Sequence, residues 1–105
     1  MANTFKSYLT SGVTTQTTIL TGPALTQTTV IGLSISNTTT GAATVSVSLT
    51  RSGTTVSVIT NATVPSADTL ILYGGDQKLV VQAGDLLKLT SSASVDAIVS
   101  VLEVA

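Results

Sequence analysis

Forty of the 105 residues are Val, Ile or Thr. Side chains branched at Cβ are stiff about χ1 and pack best on a pleated strand, which biases the whole chain towards extended structure. The apolar residues recur at every second position. Over residues 28–36, Ile31, Leu33 and Ile35 alternate with Gly32, Ser34 and Ser36, and over 44–51, Val45, Val47 and Leu49 alternate with Ser46, Ser48 and Thr50. A period of two turns one set towards a core and the other towards water, so both segments read as half-buried strands.

Turn residues punctuate the pattern. Asn37-Thr38-Thr39-Thr40-Gly41 suits a hairpin loop, and Ser52-Gly53 makes a tighter turn into a strand over 54–60, where Val56 and Val58 share a face. Residues 61–68 form a longer polar connection, and its Pro65 has no N–H for a ladder, so this stretch is read as the passage from one sheet to another. Short strands follow at 69–73, 78–82 and 86–91, separated by Gly74-Gly75-Asp76 and Ala83-Gly84-Asp85. Upstream, 13–20 reads as a Thr-rich strand that Gly22-Pro23 turns towards the next. The spacing predicts an all-β fold, an antiparallel β-sandwich, Ig-like or jelly-roll-like, of about seven or eight short strands. Residues 13–105 make up this single domain, and residues 1–12 form an N-terminal arm or edge segment.

Composition removes most chemistry. With no His and no Cys, the chain offers no imidazole acid-base catalysis, thiol nucleophile, Ser-His-Asp triad or His/Cys zinc site. Asp68, Asp76 and Asp85 fall at turns without the alternating spacing of a calcium loop, so turn formation accounts for them. Asp96 and Glu103 lie seven residues apart on one strand and so on opposite faces, unlike an acid and base pair. Gly74-Gly75-Asp76-Gln77-Lys78 reads as a turn rather than an anion-binding nest. The sequons at Asn37 and Asn61 follow from Thr abundance. The expectation is a protein that is not an enzyme and takes no cofactor or metal.

Charge is sparse as well, with four Lys/Arg, five Asp/Glu and none of either between residues 7 and 50. No basic face exists for nucleic acid. No apolar run is long enough for a membrane helix, and three aromatics cannot form the girdles of a membrane barrel. The first residues lack the pattern of a secretory signal, which predicts synthesis in a cytoplasm. A nearly neutral surface favours self-association, hence a homo-oligomer or lattice component.

Two segments are candidates for that association. Residues 95–104 are apolar on both faces, with Ile98, Leu102 and Val104 on one and Val95, Ala97, Val99 and Val101 on the other. Such a strand is either central to a closed fold or covered by another subunit. Phe5 and Tyr8 hold two of the three aromatics, which either complete the core or dock on a neighbour. The candidate assembly interface is therefore Phe5, Tyr8, Val99 and Val101, and it predicts that Val101→Asp abolishes assembly while Asp76→Ala does not.

The N-terminal Met1-Ala2-Asn3-Thr4-Phe5-Lys6-Ser7-Tyr8, Val64-Pro65 leading to Leu70-Ile71-Leu72, the run from Gly74-Gly75-Asp76-Gln77-Lys78 to Gly84-Asp85, and the ending Val95-Asp96-Ala97-Ile98-Val99-Ser100-Val101-Leu102-Glu103 together resemble a family of small virion structural proteins of tailed phages, notably those of aquatic bacteria and cyanobacteria. The resemblance spans nearly the whole chain and rests on turn and strand patterns. It implies a β-rich, non-enzymatic virion protein whose partners are copies of itself and other virion proteins, such as the major capsid protein or tail and neck proteins. Capsid decoration on the particle exterior is the role it favours. A neck, tail or fibre-associated protein is the alternative, as is a host-surface glycan-binding module built on Tyr73 and the Gly-rich turns. Residues 54–60 depart from the family pattern in carrying no aromatic or lysine.

Overall fold

The computed structural model describes residues 3–73 and 79–104, and the side chains of all of these except Leu72 and Tyr73. Nine strands are present among them: β1 (Asn3–Val13), β2 (Thr17–Thr21), β3 (Gln27–Asn37), β4 (Ala43–Arg51), β5 (Thr54–Val64), β6 (Thr69–Tyr73), β7 (Leu79–Val81), β8 (Leu86–Ser91) and β9 (Val95–Val104). They form two antiparallel sheets. The first has the order β1-β9-β3-β6, with β7 also paired to β3, and the second the order β2-β8-β4-β5.

The pairing is nested. β4 pairs with β5 at the centre of the chain, β3 with β6 and β7 outside them, β2 with β8 outside those, and β1 with β9 outermost. This is one long antiparallel hairpin, rolled until β9 also meets β3 and β8 also meets β4. With β6 and β7 as two halves of one strand position, eight positions wrap into two sheets: the sandwich is a jelly roll rather than an Ig-like fold.

At its tip, Ser52 and Gly53 both take positive φ, 50° and 82°. That geometry joins two right-twisted strands without splaying them.

Several boundaries differ from the sequence reading, each for a local reason. Residues 13–20 are not one strand, because β1 runs on to Val13 and the chain then crosses to the other sheet before β2. Asn37-Thr38-Thr39-Thr40-Gly41 is not a hairpin loop, since β3 and β4 belong to different sheets. The Asn37 side chain pins this crossover: its amide donates to the Gly41 and Val64 carbonyls (2.8 and 2.9 Å), and its carbonyl accepts from the Thr39 N–H and hydroxyl. Buried and fully hydrogen-bonded, it repays its own desolvation. The passage through Pro65 does connect the two sheets, from β5 to β6, but it is shorter than residues 61–68, because β5 runs past residue 60 to Val64. Ile31 falls in a bulge between Val30 and Gly32, so Val30 rather than Ile31 joins Leu33 and Ile35 on the inner face.

The core lies between the sheets. Val30, Leu33, Ile35, Val81, Val95, Val99 and Val101 from one side meet Ile19, Leu20, Val45, Val47, Leu87 and Leu89 from the other. One polar corner closes it. The Arg51 guanidinium forks onto the buried Asp85 carboxylate, Nε at 2.9 and 3.0 Å and Nη2 at 2.6 Å, and the Gln82 N–H donates to the same carboxylate at 2.8 Å. The hydrogen bonds from Arg51 hold the Asp85 carboxyl below its ordinary pKa against the opposing effect of burial, with help from the Gln82 N–H.

A carboxylate whose folded pKa is depressed stabilises the fold above its unfolded pKa, near 4. That contribution is lost as pH falls through the lower, folded value. Urea melts between about pH 5 and pH 2 are therefore expected to show wild-type stability falling below about pH 4. Asp85→Asn is expected to be weaker at neutral pH and flatter over the same range. Because half the Arg51 side chain meets water, screening keeps the effect modest. Parallel curves for the two proteins would show that Asp85 does not carry this pH dependence.

Candidate functional site

Strand geometry sends alternate side chains of the β1-β9-β3 sheet away from the core, and the register places them in rows across it. Phe5 of β1 lies opposite Leu102 of β9, which lies opposite Thr29 of β3, which lies opposite Val80 of β7. Two residues further along, Ser7, Ser100 and Gly32 make the next row. Beyond it come Leu9, Ile98, Ser34 and Ile71 of β6. Two apolar ridges, each broken on β3 by a polar residue, Thr29 or Ser34, thus flank a row of two serines and a glycine.

The ridges are open to solvent, with Phe5 73%, Leu9 75%, Ile71 70%, Val80 53% and Ile98 47% exposed. Asp96 is the one charged side chain that this outer face carries among the described residues, and it sits at the rim, where its Oδ1 accepts the Gly12 N–H at 3.0 Å.

The opposite outer face has another character. Thr18, Lys88, Ser48 and Ser57 form one row across β2, β8, β4 and β5, and Thr90 and Ser46 begin the next. Hydroxyls and a lysine suit water. The sandwich therefore has a wet side and an apolar side, and scattered exposed side chains are ordinary whereas a contiguous apolar patch marks an interaction surface.

The four residues singled out from sequence separate in the structure. Phe5 stands on the apolar outer face. Tyr8 points the other way, half-buried on the inner side, and its hydroxyl donates to Glu103 Oε2. That hydrogen bond is the main cause of its raised phenol pKa, with burial and the Glu103 charge adding to it. The Lys6 Nζ lies 3.3 Å from the other carboxylate oxygen, so Lys6, Tyr8 and Glu103 stitch β1 to β9 inside the subunit. Val99 and Val101 are fully buried in the inter-sheet core, because β9 turns its odd-numbered residues inward. Neither valine is available to a neighbouring subunit, and the expectation that Val101→Asp acts on assembly is corrected accordingly.

Leu9, Ile71, Val80, Ile98 and Leu102 are the residues of this face that the candidate interface omitted. Ile98 and Leu102 were visible as the second apolar face of residues 95–104, but Ile71 and Val80 join them only through cross-strand register.

The other candidates resolve simply. Asp96 and Glu103 do lie on opposite faces, and no cluster of three or more His, Cys, Asp or Glu occurs among the described residues. The Asn37 amide of the first sequon is committed to two backbone carbonyls. The Tyr73 side chain and Gly74-Gly75-Asp76-Gln77-Lys78, on which the glycan-binding, nest and Asp76 expectations rest, lie outside the described residues.

No family model matches the chain, and no curated protein matches it. A solved structure described as a pentameric capsid protein isolated from metagenomic phage sequences aligns with 91% of this chain at 21% identity and a TM-score of 0.44. The alignment covers 59% of that protein, so this chain spans less than two thirds of its length. A likeness at that level carries no functional inference.

Proposed function

We propose that this chain is a non-enzymatic structural protein of a phage particle, a homo-oligomer attached to the particle exterior, with capsid decoration as its role. The observation that carries the assembly reading is the apolar outer face of the β1-β9-β3 sheet. Left in water, such a face costs free energy in proportion to its area, and covering it with protein recovers that free energy. The hydroxyl-rich face on the other side of the sandwich would then form the neutral outer skin.

The virion assignment is supported by the sequence resemblance to small virion structural proteins of tailed phages. Fold alone does not decide it, since jelly rolls serve both capsids and lectins.

Immunogold microscopy with an antibody to the recombinant protein, on purified particles of the encoding phage, tests the reading. Label over the head is the expected result. Label at the neck, tail or fibres would replace decoration with the alternative role, and unlabelled particles would overturn the virion assignment.

A further inference from the structure

We infer that the open edge of β1 pairs antiparallel with β1 of a second copy of this chain, about a two-fold axis at Ser7, so that the first sheet runs unbroken through both subunits. The inference deepens the homo-oligomer reading and rests on it.

The edges of the two sheets are not alike. An edge strand presents a row of N–H and C=O groups spaced for another strand, and folds guard such edges with short strands, bulges or charge. β2 has five residues and a register shift between Thr18 and Leu20. β6 has five and β7 three, and the pairing of β6 is also shifted, between Leu33 and Ser34 of β3. β5 has eleven, but its shifts leave no more than four consecutive residues in register, Thr54 to Ser57. Among the described edges β1 alone runs straight, with Asn3 to Thr10 paired to β9 without a break. Every second residue of an antiparallel strand turns its N–H and C=O to the same side, so half of this run offers its backbone groups to the open edge. Lys6 is the kind of residue that guards an edge, but its ammonium is engaged by Glu103 at 3.3 Å.

The side chains select a second copy as the added strand. A two-fold axis normal to the sheet keeps outer residues outward, so opposed residues must share a face. Centred on Ser7, the axis sets Phe5 of each copy opposite Leu9 of the other on the outer side. On the inner side it sets Thr4 opposite Thr10 and Lys6 opposite Tyr8. Apolar meets apolar, hydroxyl meets hydroxyl, and no like charges meet. Moving the axis to Lys6 sets ammonium against ammonium and Phe5 against Ser7. Moving it to Tyr8 sets Leu9 against Ser7 and Phe5 against Ser11, which lies beyond the straight run. Cross-strand side-chain pairs are the unit of sheet stabilisation, and the Ser7 register is the one that matches them on both faces. The apolar outer faces of the two copies then lie side by side as one.

Two measurements on the full chain test the pairing. The sequence has no cysteine, so Ser7→Cys places a single thiol on the axis. Directly opposed Cβ atoms lie about 5 Å apart, within reach of a disulfide, and mild oxidation is expected to give a covalent dimer. Thr4, equally exposed, lies six residues along the pairing from its own counterpart, about 20 Å, so Thr4→Cys is expected to stay uncrosslinked under the same oxidation. The second measurement is sedimentation equilibrium. Ser7→Lys sets two ammoniums against each other at the axis and is expected to raise the dimer dissociation constant by more than about tenfold, a loss of roughly 1.4 kcal/mol. Ser100, opposite Ser7 on β9, is the control. Ser100→Lys adds the same charge to the same face, but its two copies stand three strand spacings apart, about 14 Å, which exceeds the screening length of about 8 Å at about 0.15 M salt. Its dissociation constant is expected to stay within about threefold of wild type.

A wild-type chain that stays monomeric at high concentration overturns the inference and the homo-oligomer reading together. A wild-type oligomer in which Ser7→Cys cross-links no more readily than Thr4→Cys overturns the edge pairing alone. So does one that Ser7→Lys weakens no more than Ser100→Lys. None of these results bears on the particle labelling, which tests the virion assignment separately.

Discussion

Val101→Asp is expected to abolish folding, not assembly alone. Val101 is fully buried, with Lys6 of β1 and Val30 of β3 as its cross-strand neighbours. Lys6 already pairs with Glu103, so one ammonium would face two carboxylates and the added charge would stay uncompensated. Burying an uncompensated carboxylate costs many kcal/mol, against a total stability of about 5–15 kcal/mol for a domain of this kind. The expected observation is the loss of any cooperative thermal transition by circular dichroism at pH 7. Leu9→Asp, on the exposed outer face, is the control and is expected to keep the transition within about 1 kcal/mol of wild type. A Val101→Asp protein that melts like wild type would place residue 101 outside the core.

Gly22→Ala is expected to have the next largest effect, for a reason that is steric rather than electrostatic. A Cβ on Gly22 would sit 2.0 Å from the Gln82 carbonyl oxygen and 2.9 Å from its carbon. Both atoms are backbone, and they cannot move aside cheaply. The Gly22 N–H donates to the Asp85 carbonyl at 2.8 Å, and the Gly22 carbonyl accepts the Gly84 N–H at 3.0 Å, so both sides of the contact are tied down. The same turn carries the Asp85 carboxylate that Arg51 grips. Overpacking at such a site costs roughly 3 kcal/mol. For a domain of about 100 residues that corresponds to a fall in Tm of roughly 10–20 °C. Differential scanning calorimetry measures it, and a Tm within a few degrees of wild type would mean that the 20s and 80s loops can separate without penalty.

What could be read in the sequence follows from what alternation encodes. The strands over 69–73, 86–91 and 95–104 have the limits that their polar and glycine boundaries predicted. Period two also separates the two faces of β9, but it does not say which face looks inward when both are apolar. That is why Val99 and Val101 were read as an interface while Ile98 and Leu102, on the face turned outward, were not.

A bulge defeats the pattern in another way. One extra residue at Ile31 shifts the phase, and the sequence marks the slip only by Gly32, since an isolated glycine within a strand pattern signals a bulge. At Thr14-Thr15-Gln16 the β-branched pattern continues straight through a corner of the fold, which hides the break between β1 and β2. The ridges depend on register between strands far apart in the chain, such as Phe5 against Leu102 and Ile98 against Ser34, and no local window contains that information.

The nested pairing has a consequence in time. Only the β4–β5 hairpin at the centre pairs residues that are close in sequence, and each pair outside it closes a longer loop, out to Asn3 against Val104. Loop-closure entropy disfavours the outer pairs until the inner ones are in place, and chains dominated by distant pairing fold over milliseconds to seconds rather than microseconds. On a ribosome β1 is synthesised first and can be paired only last, because its partner β9 emerges only after nearly a hundred further residues. Throughout that interval the backbone groups of β1 lack the partner strand that satisfies them in the folded sheet. Crowding among nascent copies is therefore a hazard inherent in the topology, and it eases only when β9 pairs with one edge of β1, whose other edge stays open in the folded sheet.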